Sequence, residues 1–320
     1  MITIAVPERW RAVFFDGIDL ARLGDVRMVA QDAAIPPATR VLITGWGARR
    51  LSAEVLDGVP GLALVAHTGG TVKPFVTEQM WQRGIRVTQA GEAMAYAVGE
   101  VALAFTLALL HRIPRFDHAL REGSLWDEAK EAPPREELAE NTIGVLGASR
   151  TGRHYIRLLR AIGARVLVAD PHLSEAAAAE LGATLCELDD LLSRSAIVAV
   201  HAPVLPETRH LLGARELALM PDGAGLVNTA RSWLVDQEAL LAELRKGRID
   251  AALDVFDEEP LSTAHPLRSL PNVLLTPHEA AGTRQARRRQ GALIVAEVDR
   301  FLRGQPLLHE VHAEDLSRMG

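Results

Sequence analysis

Apolar residues gather in short runs at 3–6, 41–44, 62–65, 143–146, 166–169, 196–200, 225–227, 251–253 and 273–275, each of which reads as a β-strand. Between most of them lie ten to twenty residues with apolar positions at helical spacing. Strands that alternate with helices predict βαβ units, hence parallel sheets covered by helices on both faces. There are two such series. The first ends near Val87. A long helix is then predicted over 98–112 and another from about Arg115. The polar, proline-bearing segment 130–141 reads as a surface loop. The second series starts at Ile143, and after Pro277 a last helix is predicted over 283–302. That helix would return to the first unit. The expected division is one unit from both chain ends, 1–97 plus 284–320, and a second unit inserted over 98–283. The fold class is α/β, with two doubly wound parallel sheets and a cleft between the units, a usual place for a ligand.

Bulk properties narrow the possibilities. The 320 residues suit two domains. A net charge of −6 argues against a general affinity for nucleic acid. The one cysteine, Cys186, excludes an intrachain disulfide and fits a reducing compartment. The start, "MITIAVPERW", lacks a basic region followed by a long apolar stretch, so no signal peptide is expected. The most apolar helical stretch, 101–110, reads as a core helix too short to span a bilayer. A cytoplasmic protein with no membrane partner and no bound metal is the expectation.

The stretch "GVLGASRTG", 144–152, lies between a predicted strand and a predicted helix, and the next strand ends at Asp170. Asp170 stands 18 positions after Gly152. This is the layout of a Rossmann or flavodoxin-like unit that binds a dinucleotide: pyrophosphate at the helix N-terminus and an acid for the ribose hydroxyls. Gly147 permits the tight turn, and Gly152 permits close packing of helix on strand. Ser149 replaces the middle glycine, and its hydroxyl could donate to a phosphate oxygen. Asp170 favours NAD over NADP, because a carboxylate repels a 2′-phosphate; Arg150 and Arg153 nearby are the features that would suit NADP. Such a turn on its own can also join strand and helix and bind nothing.

Three further residues follow predicted strands: Arg231 in "VNTARSW", Glu259 in "DVFDEEP" and His278 in "LLTPHEAAG". They would lie at the C-terminal ends of parallel strands, where open α/β sheets bind ligands. Their types suit hydride transfer to a 2-keto acid. Arginine supplies a forked cation for carboxylate and carbonyl oxygen. Histidine can give the proton, and a carboxylate beside it orients the ring. Asp254 could bond a nicotinamide amide or a nearby backbone group. Singly, each residue could be a solvated surface group; their placement on successive strand ends makes the pattern.

"GVLGASRTG" with Asp170, "HAPVLPETRHLL" (201–212), "LVNTAR", "LDVFDEEP" and "TPHEAAG" occur in the order and spacing of a known family. The sequence resembles the D-isomer-specific 2-hydroxyacid dehydrogenases over nearly its whole length. The resemblance implies a catalytic set of Arg231, Glu259 and His278. It implies cofactor contacts at Gly147, Ser149, Arg150, Thr151, Gly152, Asp170, His201, Pro203, Thr208, Thr229, Ala230, Asp254 and Gly282. It also implies that the backbone of "HTGGTV" (67–72), at Gly69, Gly70 and Thr71, holds the substrate carboxylate, with Trp46 and Arg231 also at the substrate. The inserted unit would bind NAD and join two copies as a homodimer. The implied activity is reversible reduction of a 2-keto acid to a D-2-hydroxy acid. An NAD(H)-sensing module with little catalysis is the alternative.

Several positions depart from the family pattern. Ser232 stands where glycine is usual, Met94 where asparagine is frequent, and Lys73 where aspartate is frequent. Trp46 stands where phosphoglycerate dehydrogenases carry arginine, which argues against a phosphorylated substrate, although Arg49 and Arg50 are close. Trp46, Met94, Tyr96 and Trp233 point to an apolar or bulky substrate side chain, or to packing within a domain.

Overall fold

Thirteen strands follow one another in the computed structural model, which describes residues 1–319. They are β1 (Ile2–Ala5), β2 (Val26–Met28), β3 (Val41–Thr44), β4 (Leu64–His67), β5 (Arg86–Gln89), β6 (Thr142–Leu146), β7 (Arg165–Ala169), β8 (Thr184–Leu185), β9 (Ile197–Val200), β10 (Gly225–Asn228), β11 (Asp250–Leu253), β12 (Val273–Leu275) and β13 (Glu310–Val311). Contacts divide the chain into two units, Met1–Met94 with Gly282–Met319, and Ala95–Ala281.

The first unit holds a six-stranded sheet in the order β13-β5-β4-β3-β1-β2. All its pairs are parallel except β13 with β5. The helix Arg284–Leu302 returns to this sheet, burying Ile294, Val295 and Val298 against Ile2, Ile4 and Ile43. Glu297 on the same helix is buried and accepts from the amides of Leu308 and His309 and from the Thr88 hydroxyl. The carboxylate thereby fastens β5 and the segment before β13 to the helix.

The second unit holds a seven-stranded parallel sheet, ordered β12-β11-β10-β9-β6-β7-β8. β9, β10 and β11 are buried along their whole length, as strands covered on both faces are. Successive side chains serve opposite layers. Ile143, Val145, Val166 and Val168 meet Phe105, Leu109 and Ile156, whereas Leu146, Leu167, Val198 and Val200 meet Leu191, Leu217 and Leu240. The chain runs outward through β6, β7 and β8, then restarts on the other side of β6 with β9. The strand order therefore reverses between β6 and β9, and the crevice at their C-terminal ends is where such sheets bind ligands.

Two expectations need correction. Leu62 belongs to a turn, its amide bonded to the Val59 carbonyl, and β4 begins two residues later at Leu64. A buried side chain below the strand gave the same apolar signal as the strand itself. The core helix runs Ala95–Leu110 and is preceded by a tight turn, Gly91–Met94. Together these make 20 residues of mean hydropathy 1.8, long and apolar enough to cross a membrane by length and composition. Half of that span is buried, and Ala102, Phe105 and Leu109 lie in the core of the second unit.

Candidate active site

The glycine turn follows β6. Gly147 has φ +91°, and a Cβ there would lie 2.7 Å from both the backbone nitrogen and Cα of Ala202. A Cβ on Gly152 would lie 2.2 Å from the Gly147 carbonyl oxygen. The turn thus has no room for side chains at these two points, and its backbone is left bare at the switch point. Ser149 caps the helix Arg150–Ala161: its Oγ accepts from the Gly152 amide at 3.3 Å. That accounts for serine at this position and leaves the hydroxyl hydrogen for an acceptor. Arg150 and Thr151 open the helix, and Arg153 turns back to donate to the Ala148 carbonyl at 2.9 Å. Asp170, just past β7, accepts from the Ala148 amide at 2.8 Å and the His172 amide at 2.9 Å. One amide to each oxygen fixes the carboxylate and leaves lone pairs for hydroxyl donors.

Two orphaned polar atoms lie at the ends of the next two strands. His201 Nε2, after β9, and Thr229 Oγ1, after β10, are buried without a hydrogen-bond partner. Bare turn, capped helix, fixed acid and orphaned donors are what a dinucleotide requires, and the residues present fit one. Thr208 organises the segment beyond His201, donating to the Pro203 carbonyl at 2.8 Å and accepting from the Leu205 amide at 2.9 Å. Trp233 also serves this segment. Its indole N–H donates to the Leu205 carbonyl at 3.1 Å, and Arg209 lies over its ring. The bond and the cation anchor Trp233 to this segment while its ring stays 39 % exposed.

The three candidate catalytic residues come together in the second unit. Asn228, the last residue of β10, accepts from the Ala230 amide at 3.0 Å and donates to the Arg231 carbonyl at 2.9 Å. This side-chain-closed turn sets Arg231, whose Nη1 donates to the Ala230 carbonyl at 2.6 Å. Burial pulls the Arg231 pKa down, and the charges of Glu259 and Asp254 oppose it. Glu259 is oriented through both oxygens: Oε1 accepts from the Phe256 amide at 3.0 Å, and Oε2 takes His278 Nδ1 at 2.7 Å. A carboxylate only accepts, so Nδ1 carries the hydrogen of this bond.

Asp254 is buried behind His278. Its carboxylate accepts from the Thr276 hydroxyl and from the amides of Glu279 and Ala280, each amide at 3.0 Å. Of the two partners considered for it, the backbone is the one observed. His278 has φ +53°, a left-handed conformation that side-chain-bearing residues adopt rarely. The three bonds to Asp254 hold the chain on both sides of His278 in place, so the strain is confined to this residue. Asn228 is the residue of this arrangement that sequence reading missed, whereas Asp254 was named for a cofactor or backbone contact. An asparagine directly after an apolar run was the available signal for the first.

The first unit carries the loop after β4. His67, its last strand residue, is buried; its Nδ1 lies 2.9 Å from the Thr44 hydroxyl and its ring packs on Phe75. A Cβ on Gly69 would lie 2.5 Å from His67 Nε2 and 3.3 Å from Trp46 Nε1, and one on Gly70 would lie 3.5 Å from Met94 Sδ. Trp46 and Met94 therefore border this loop. Gly282 opens the return segment, where its carbonyl accepts from Arg287.

His67 and His201 are both buried so deeply that desolvation pushes their pKa values down to about 3. Each stays neutral when folded and takes up a proton on unfolding below its ordinary value of 6.5. The unfolded state then binds more protons, so stability falls as pH drops from 6.5 toward 3. The expected loss is on the order of 2 kcal/mol per histidine at about pH 5. Urea midpoints should fall clearly between about pH 7 and about pH 5; equal midpoints would contradict the buried neutral pair.

The profile of the D-isomer specific 2-hydroxyacid dehydrogenase NAD binding domain matches residues 103–280, more than half of the chain. The chain belongs to this family. It is 36 % identical over 261 residues to a glyoxylate reductase of Aeropyrum pernix, covering 80 % of this chain and 78 % of that one. It is 32 % identical over 267 residues to a D-3-phosphoglycerate dehydrogenase of Methanocaldococcus jannaschii, covering 83 % of this chain but 50 % of that one. The chain thus spans about half the length of the phosphoglycerate dehydrogenases it matches. Among solved structures, TP0037 of Treponema pallidum, a D-lactate dehydrogenase, has a TM-score of 0.83 at 26 % identity, covering 98 % of this chain and 100 % of that one. The inserted unit is the family's NAD-binding domain.

Proposed function

We propose that this dehydrogenase reduces an unphosphorylated 2-keto acid to the D-2-hydroxy acid, using NADH. The observation that carries the reading is the Glu259–His278 pair held beside Arg231. The turn from Gly147 to Gly152 holds the pyrophosphate, and Asp170 takes the ribose hydroxyls. Bound NADH supplies a hydride to the carbonyl carbon. Arg231 binds the carboxylate and the carbonyl oxygen with its fork, and burial strengthens that charge interaction. His278 Nε2 protonates the oxygen as it becomes an alkoxide, and the Glu259 charge stabilises the ring in its proton-bearing state. Asp254 and Asn228 hold the two groups in register.

The substrate class follows from the borders of the Gly69–Gly70 loop, where an indole and a thioether stand instead of a cation. An apolar or small side chain suits them. The relatives act on glyoxylate, phosphoglycerate or lactate by name, so the acid itself is to be measured.

The test is NADH oxidation with a panel of 2-keto acids, phosphorylated ones included, by wild type and Arg231→Ala. Wild type should turn over unphosphorylated acids, and Arg231→Ala should lose roughly 100- to 1000-fold in kcat/KM with NADH affinity retained. NADH binding without turnover of any acid would instead mark a sensor. Preference for a phosphorylated acid would overturn the substrate class.

A further inference from the structure

Trp233 has an exposed ring and belongs to neither apolar core of the second unit. Burial therefore does not explain an indole here. A smaller residue would close the same short turn, Ser232–Leu234, without leaving aromatic surface in water. What the side chain adds is a set of ties. Its N–H donates to the Leu205 carbonyl at 3.1 Å, and the Arg209 guanidinium lies over its ring, 5.1 Å from the centroid. Its own carbonyl accepts from the His210 amide at 2.9 Å. Residues on both sides of the turn Pro206–Thr208 are thus fastened to this one residue.

The two ends of the tie are functional groups. Arg231 lies just beyond β10, outside the ladder of the sheet. Its carbonyl accepts from the Leu234 amide at 3.4 Å and from the Asn228 side chain at 2.9 Å. The indole therefore sits on the tight turn that Arg231 begins, and a shift of Trp233 is passed to Arg231. At the other end, the Leu205 amide is held by the Thr208 hydroxyl at 2.9 Å, and that hydroxyl donates to the Pro203 carbonyl at 2.8 Å. Pro203 follows His201, whose orphaned Nε2 belongs to the cofactor side of the unit. Contacts thus run unbroken from the end of β9, through Leu205 and Trp233, to Arg231. His210, where the chain turns back beside Trp233, has φ +50°, so the crossing holds a left-handed residue in place.

We propose that Trp233 is a positioning residue of this dehydrogenase: it ties the turn that carries Arg231 to the 203–208 segment, so that the catalytic fork is placed by the part of the unit that receives the cofactor. This rests on the reductase reading above. The fork must meet carboxylate and carbonyl oxygen together, and a misplacement of about 1 Å costs such a group roughly 100-fold in rate. The tie supplies geometry and no charge, so its loss falls on turnover and leaves the pyrophosphate turn and Asp170 as they are.

The experiment compares wild type with Trp233→Ala and Trp233→Phe, each also made in an Arg231→Ala background. It measures KM and kcat with the best acid of the panel, single-turnover rates where Arg231 is absent, NADH affinity by fluorescence, melting temperature, and hydrogen exchange of peptides covering 203–212 and 229–236. Trp233→Ala should lower kcat/KM roughly 10- to 100-fold, with NADH affinity within about threefold and melting temperature within about 3 °C. Trp233→Phe keeps a ring under Arg209 and loses the N–H, so its loss should be smaller, roughly 3- to 10-fold. It carries the same test if the alanine variant fails to fold. With Arg231 already removed, either change at Trp233 should alter the rate by less than about threefold, because the group it positions is gone. Exchange in both peptides should be faster by roughly tenfold in Trp233→Ala. Unchanged kcat/KM in the folded variants would overturn the assignment. A loss of the same size with and without Arg231 would also overturn it, since a purely structural residue behaves that way. Wild type that reduces no acid would sink the reductase reading; faster exchange at 229–236 in Trp233→Ala would then still establish the tie, and unchanged exchange would overturn it.

Discussion

His278→Asn should fold, bind NADH normally, and lose keto-acid turnover by roughly 100- to 10,000-fold. Asparagine is the informative replacement because it tolerates the left-handed backbone at φ +53°. Alanine would add backbone strain of about 1 kcal/mol or more and confuse the result. Asparagine keeps the loop and removes the acid. The Glu259 carboxylate would retain its bond from the Phe256 amide and lose the one to His278. Glu259→Gln in parallel should give a smaller loss, since the ring stays and only its charged partner is gone. Single-turnover kinetics at saturating NADH separates chemistry from binding. Turnover within a few-fold of wild type in His278→Asn would remove His278 as the proton donor and leave the Arg231 charge as the remaining catalytic feature.

Gly152→Ala should abolish NADH binding, weakening it by roughly 100-fold or more while leaving a folded protein. The added methyl would stand 2.2 Å from the Gly147 carbonyl oxygen and 3.2 Å from His201 Cβ. The nearer obstacle is backbone, so no rotamer change relieves it. The helix must move off the turn, which displaces the N-terminal amides and the Ser149 cap together. Overpacking of this kind costs about 1–3 kcal/mol, a drop of roughly 3–10 °C in melting temperature. Ser149→Gly is the control. Glycine costs a helix N-cap only a few tenths of a kcal/mol, so NADH affinity should stay close to wild type. Wild-type NADH affinity in Gly152→Ala would mean that the turn does not bind the pyrophosphate. Strong loss in Ser149→Gly would mean that the serine hydroxyl itself holds phosphate.

The central strands were readable because they are buried on both faces. A strand such as β9 or β10 has no solvent side, so every residue is apolar and the run stands out. The strands that escaped notice lie at sheet edges or are short. β2, "VRM", is half-buried to exposed; β8 and β13 have two residues each. β13 pairs antiparallel with β5 across more than two hundred residues of chain. Nothing local marks such a pairing, because its stabilisation comes from the partner and from Glu297.

In the site, residue type and order told most of the story. The glycines of the turn, Asp170, Arg231, Glu259 and His278 each have a chemistry that the side chain carries with it wherever it is placed. Side chains with two possible uses were not decided. Asp254 could serve cofactor or backbone, and three bonds from the His278 loop take both of its oxygens while leaving a lone pair on Oδ2. Trp233 could line a substrate site or pack; its N–H is fixed on Leu205 and its ring stays 39 % exposed.

The sequence by itself therefore determined the class of fold and the family and named candidate reactive groups, because apolar periodicity and functional-group chemistry are local properties. The tertiary structure decided the strand order, the left-handed His278, and the partners of Asn228, Asp254 and Glu297. Those depend on which distant atoms become neighbours, and a hydrogen bond exists only once both ends are in place.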